Sequence, residues 1–222
     1  ESVKDPLARE IKFGYTYNNK TGKFTARSDQ ENYKYGQYYN TDVEIEFNYF
    51  EYNPDEIIVY DYNSEDGVET EIEPSWTEGK RGYGKASVTI SEEGYHKVRI
   101  EVIDEAENAY TDRTAEKTLR FTIDKTAPVI KLSGSQNQTI TAGGAFTHPT
   151  ITAITDNLTP YTHNTEDDAD EWVGPTGSNI KASITGTVNN TVPGTYRILY
   201  EVADEAGNVA TETVTVVVTP SE

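Results

Sequence analysis

The sequence contains no cysteine and no methionine. Without cysteine there is no disulfide framework, no thiolate zinc site, no iron–sulfur cluster and no thiol nucleophile. Without an initiator methionine, the 222 residues read as a processed or excised piece of a longer chain. Hydrophobic residues are sparse at 35%, against roughly 45–50% in average globular domains, a benchmark that also counts glycine. No apolar run approaches the roughly 20 residues of a membrane-spanning helix, so direct membrane insertion is not expected. Basic side chains are few, 19 against 38 acidic ones, for a net charge of −19. Phosphate binding needs clustered Lys and Arg, so no nucleic-acid partner is expected. The three histidines, His96, His148 and His163, have no Ser or Asp at catalytic spacing. Gly-x-Ser-x-Gly, His-Glu-x-x-His and phosphate-loop motifs are missing. No catalytic residue is assigned, and the chain is read as non-enzymatic.

What is present is alternation. Val43, Ile45, Phe47 and Tyr49 alternate with Glu44, Glu46 and Asn48. The same period of two runs through Ala86–Ile90, Val98–Val102, Leu119–Ile123, Tyr196–Val202 and Val214–Val218. Each run offers one face to bury and one to wet, as antiparallel sheets with a solvated side require. Helical spacing of apolar residues is not found. Short strands punctuated by Gly, Pro, Asn and Asp predict an all-β sandwich.

An internal repeat divides the chain. Gly94 matches Gly194, Glu101-Val102 matches Glu201-Val202, Asp104-Glu105-Ala106 matches Asp204-Glu205-Ala206, and Asn108 matches Asn208. Every offset is 100 residues. Two tandem modules follow, 1–124 and 125–222, joined through Asp124-Lys125-Thr126-Ala127-Pro128. Pro128 suits a linker or the start of a strand, because it cannot donate within a ladder. Both modules are acidic, net −12 and −7, so the charge reads as a solubilising shell rather than a tail. Tyrosine is uneven: 13 of the 16 precede residue 125.

The unit at 194–208, Gly-Thr-Tyr-Arg-Ile-Leu-Tyr-Glu-Val-Ala-Asp-Glu-Ala-Gly-Asn, reads as strand and turn, with Thr211 to Thr219 returning. Asp and Asn bond nearby backbone, and Gly207 is free to adopt positive φ; Glu107 stands there in the first copy. This pattern resembles bacterial immunoglobulin-like domains of surface proteins. The Asp124-Lys125-Thr126-Ala127-Pro128-Val129-Ile130 join, Gly143 to Phe146, Ala153 to Asp156 and Gly186-Thr187-Val188 carry the same resemblance. It covers nearly all of the second module apart from an extended loop near 157–181. In the first module it covers only about 92–124. The resemblance implies two immunoglobulin-like sandwiches on an extracellular bacterial cell-surface or secreted protein, of the kind found on Gram-positive bacteria. It implies a non-catalytic stalk or spacer, monomeric, with neighbouring domains of the parent chain as its partners. Two alternatives stand beside it: an adhesin binding a surface glycan or host protein, and accessory domains of a secreted carbohydrate-active enzyme.

Candidate sites follow from composition. Tyr33, Tyr35, Tyr38 and Tyr39, set among Lys34, Gly36, Gln37 and Asn40, are candidate ligand contacts, as is Trp172 in the extended loop. Ordinary strand tyrosines are the simpler reading of the former, and a Trp folded back over the sandwich end is the simpler reading of the latter. Asp104, Asp124, Asp204 and Asn208 are candidate Ca²⁺ ligands, against the simpler reading of hydrogen-bonded turns. The acidic run at Glu166, Asp167, Asp168, Asp170 and Glu171 lacks EF-hand spacing and reads as a solvated loop. No cofactor is otherwise expected.

Overall fold

The computed structural model describes residues 9–13, 15–18, 23–26, 36–50, 53–63, 67–77, 83–107, 109–111, 119–165 and 171–221. It divides into two compact units, Glu1–Lys125 and Thr126–Glu222. Every regular element described is a strand, as the period-two runs predict. Among the described residues no helix is long and apolar enough to cross a membrane.

The first unit holds β1 (Arg9–Phe13), β2 (Tyr15–Asn18), β3 (Lys23–Ala26), β4 (Gln37–Tyr39), β5 (Val43–Phe50), β6 (Pro54–Asn63), β7 (Val68–Ile72), β8 (Ser75–Thr77), β9 (Tyr83–Ile90), β10 (Gly94–Asp104), β11 (Ala109–Thr111) and β12 (Leu119–Ile123). One sheet runs β1-β5-β9-β8 and the other β4-β12-β10-β6-β7, with β11 also on β10; β2 and β3 form a separate hairpin. The two large sheets bury their apolar parities against each other. Val43, Ile45, Phe47 and Tyr49 meet Ile57, Val59, Val98, Ile100, Phe121 and Ile123 in one core. A polar residue at every second position keeps the outer faces wet, which is why 35% hydrophobic content suffices.

β10 fixes the long axis of this unit. Gly94 pairs with Ile123 at one end, and Asp104 lies beside Pro54 at the other. Ten residues of strand separate these ends, roughly 33 Å.

The second unit holds β13 (Val129–Leu132), β14 (Asn137–Thr141), β15 (Ile151–Thr155), β16 (Thr162–Asn164), β17 (Glu171–Val173), β18 (Ser183–Thr185), β19 (Gly194–Ala203) and β20 (Val209–Thr219). The order β14-β20-β19-β18 forms the main sheet, β13 pairs with β15, and β16 with β17. Ile198, Tyr200, Val202, Val214 and Val216 pack against Ile130, Ile151 and Ile154. Within the extended loop, β16 pairs antiparallel with β17. In both units an early strand lies parallel to the last one, β4 on β12 and β14 on β20.

Candidate functional site

β6 carries Ile57, Val59, Asp61 and Asn63 at its inward positions, and all four are buried. The last two put polar groups where parity demands apolar ones. His96 does the same on β10 and is fully buried. The register sets His96 beside Asn63 and two residues along from Asp61, on the same face. His96 Nδ1 lies 2.8 Å from Asp61 Oδ2, and Nε2 lies 2.9 Å from the Glu92 carbonyl oxygen. The imidazole stacks on Phe121 at 5.3 Å between centroids. Asn63 Nδ2 donates to the Glu93 carbonyl at 3.0 Å.

The two repeated turns sit at the ends of β10 and β19. In the second unit, Asp204 Oδ1 accepts the Asn208 backbone N–H at 2.8 Å, and Oδ2 accepts from Asn208 Nδ2 at 2.6 Å. Gly207 adopts φ of 88°. In the first, Asp104 Oδ1 accepts from Ala106 N at 2.9 Å, and Glu107 takes the same left-handed conformation at φ of 61°. A non-glycine residue is therefore accommodated in that turn. Asp104 and Asp124 do not share a site. They sit at opposite ends of β10, because Asp124 follows the Ile123 that pairs with Gly94. Asp204 and Asn208 belong to the second unit and meet in their own turn.

A carboxylate outside the expected set joins Asp204. Asp156, just after β15, has an oxygen within 4.8 Å of one on Asp204. Burial pushes the Asp156 carboxyl above its usual range, and the Asp204 charge pushes it further; the backbone N–H groups of Leu158, Thr159 and Asn157 offset part of this. The Ala153–Asp156 stretch was legible in the sequence as a pattern, but its approach to Asp204 was not.

The aromatic candidates part company. Tyr33 and Tyr35 lie outside the described residues, as do Glu166 to Asp170. Tyr38 is half-buried. Tyr39 is only 3% exposed and meets Phe121 edge-on at 6.1 Å, so the ring expected on a surface belongs to the core. Trp172 is half-buried: its Nε1 donates to the Ile151 carbonyl at 3.2 Å, and His163 stacks parallel to it at 4.9 Å. A groove of about 870 Å³ runs between residues 160–165 and 173–181. Half-buried tyrosines also line the outer face of β6 and β10. There the cations cover the rings, with Arg99 3.7 Å from the Tyr60 centroid and Lys97 5.0 Å from that of Tyr62. Burial, followed by the nearby Glu101 and Glu71 charges, raises the Tyr60 hydroxyl above its usual range.

Two sheets packed face to face, with β5-β9-β8 opposed to β12-β10-β6-β7, reproduce the strand arrangement of an immunoglobulin sandwich. Residues 130–218 match the family described as bacterial surface protein, Ig-like domain. The fold is immunoglobulin-like. A solved structure of fibronectin(III)-like modules of Clostridium thermocellum CbhA is similar to the chain at 11% identity and a TM-score of 0.30, over 86% of this chain and 93% of that one. No curated protein matches the sequence. The matched Ig-like segment spans β13 to β20 and includes Asp156, Trp172, Asp204 and Asn208.

Proposed function

We propose that the chain is a non-catalytic extracellular spacer segment of a bacterial surface protein. The observation that carries this reading is where the second unit receives and releases the chain. Asn208 Nδ2 donates to the Thr126 carbonyl at 3.4 Å, so the chain enters at the pole of the Asp204–Asn208 turn. β20 then runs from Val209, beside that turn, to Val218 opposite Gly194 at the far end. A module whose ends lie at opposite poles adds its long dimension to any series it joins. Ten paired residues of β19 make that dimension about 30 Å. The role needs no cofactor.

The test exchanges residues 126–222 in the parent protein for an unrelated Ig-like domain of equal length. A spacer keeps the cell-surface accessibility of an epitope tag placed on its far side after the exchange, and loses it on deletion. If the exchange abolishes function while accessibility is kept, the segment binds something itself. A glycan and host-matrix screen with the Tyr38→Ala variant then tests the adhesin reading. The sequence flanking this segment separates both from an accessory role in a carbohydrate-active enzyme.

A further inference from the structure

The groove of the second unit, between residues 160–165 and 173–181, has a volume of about 870 Å³. Small-ligand sites enclose roughly 300–1,000 Å³. One wall is a closed turn. Gly174 N donates to the Ile180 carbonyl at 2.9 Å, Ser178 N to the Pro175 carbonyl at 3.0 Å, and Ile180 N to Ser178 Oγ at 3.4 Å. Gly174 is buried there, and a Cβ on it would come within 2.8 Å of the Ile180 Cβ. Ile180 packs against the core of the unit. The other wall carries exposed His163, whose ring lies parallel to Trp172 at 4.9 Å. Trp172 packs on the same core and donates to the Ile151 carbonyl at 3.2 Å. Both walls are therefore fastened to the sandwich before any ligand arrives, which lowers the ordering cost of binding.

Hydroxyl and amide side chains stand on both walls: Thr162, Asn164 and Thr165 on one, Thr176, Ser178 and Asn179 on the other. Each of these side chains can donate as well as accept. Pro160, Val173, Pro175 and Ile180 contribute apolar surface to the same lining. A pyranose ring has the complementary make-up, with hydroxyls around its rim and C–H bonds on its faces. Its hydroxyls exchange donor and acceptor roles with neutral side chains, while its faces cover apolar surface and a flat ring such as His163. We propose that this groove binds a segment of neutral pyranose oligosaccharide, with Thr176 and Asn179 among its hydrogen-bond partners. Binding here is separate from the spacer reading, since a module can keep its length and also carry the groove.

The experiment titrates the ¹⁵N-labelled full chain with cellotriose, maltotriose, mannotriose and chitotriose, and with the peptide acetyl-Gly-Ser-Gly-Ser-Gly-Ser-amide. The expected result is saturable amide shifts at Thr162, Thr176, Asn179 and Lys181 with at least one trisaccharide and none with the peptide. Thr176 and Asn179 are exposed, and the turn's hydrogen bonds named above use backbone groups and Ser178 Oγ. Thr176→Val combined with Asn179→Ala therefore leaves the turn in place and should weaken binding by about tenfold or more. His163→Ala, a second exposed position, should weaken it as well, with the circular dichroism spectrum of both variants unchanged. Absence of saturable shifts with all four trisaccharides overturns the inference. So do equal shifts with the peptide, which would make the groove a polypeptide site, or undiminished binding in either folded variant.

Discussion

His96 Nδ1 and Asp61 Oδ2 are 2.8 Å apart inside the first sandwich, on neighbouring strands. The Glu92 carbonyl at Nε2 is an acceptor too. Each side chain is thus the buried hydrogen-bond partner of the other. The pair therefore behaves as a unit. Asp61→Ala or His96→Ala leaves a buried polar group without its partner and is expected to cost about 3 kcal/mol each. Asp61→Leu with His96→Phe removes both and should lie within about 1 kcal/mol of the parent. Urea denaturation of these variants, with Asp61→Leu alone and His96→Phe alone closing the cycle, checks this; additive losses would refute the coupling.

The two turns make a matched pair for backbone strain. Glu107 holds φ of 61° where its counterpart Gly207 holds 88°. Left-handed conformation costs a side-chain-bearing residue about 1 kcal/mol. Glu107→Gly is expected to stabilise the first unit by up to about 1 kcal/mol, and Gly207→Ala to destabilise the second by a similar amount. No atom lies within 4 Å of a Cβ built at Gly207, so the second effect isolates backbone strain from packing. Denaturation midpoints that fail to move in opposite directions would contradict this.

Gly84 is held by a different constraint. It pairs across the strands with Tyr49, whose ring lies over it, so a Cβ at Gly84 would overlap that ring. The same ring meets Trp76 edge-on at 6.3 Å, and its hydroxyl donates to the Thr77 carbonyl at 3.1 Å. Gly84→Ala is expected to cost about 1–3 kcal/mol through overpacking. The cost should shrink in a Tyr49→Leu background, which a double-mutant cycle measures.

Asp156 predicts a pH dependence. Burial, with the neighbouring Asp204 charge, raises its carboxyl above the ordinary value of 3.8. The stabilising contribution of such an acid is fully present below 3.8 and is lost as pH rises through the folded-state value. Asp156→Asn should therefore raise the melting midpoint at pH 7, and the gain should vanish near pH 3. A gain that persists at pH 3 would place the effect elsewhere than in ionisation.

Parity in the sequence determined the class of fold and most of both cores. Val43 to Tyr49, Val98 to Val102 and Val214 to Val218 are buried at the positions alternation selects, because a strand can present only every second side chain to one face. The same rule applied to β6 would have flagged Asp61 and Asn63 as polar intruders on an inward face. Local chemistry determined the turns, where Asp204 and Asn208 bond across four residues. Tertiary structure alone decided which strands are neighbours, and so which distant residues meet. The β6–β10 register brings Asp61 to His96 across 35 positions, and the fold of the second unit brings Asp156 to Asp204. It also sent Tyr39 into the core and Asp104 and Asp124 to opposite ends of β10. Alternation says which face a residue takes, but strand order and register are long-range choices that no local pattern encodes.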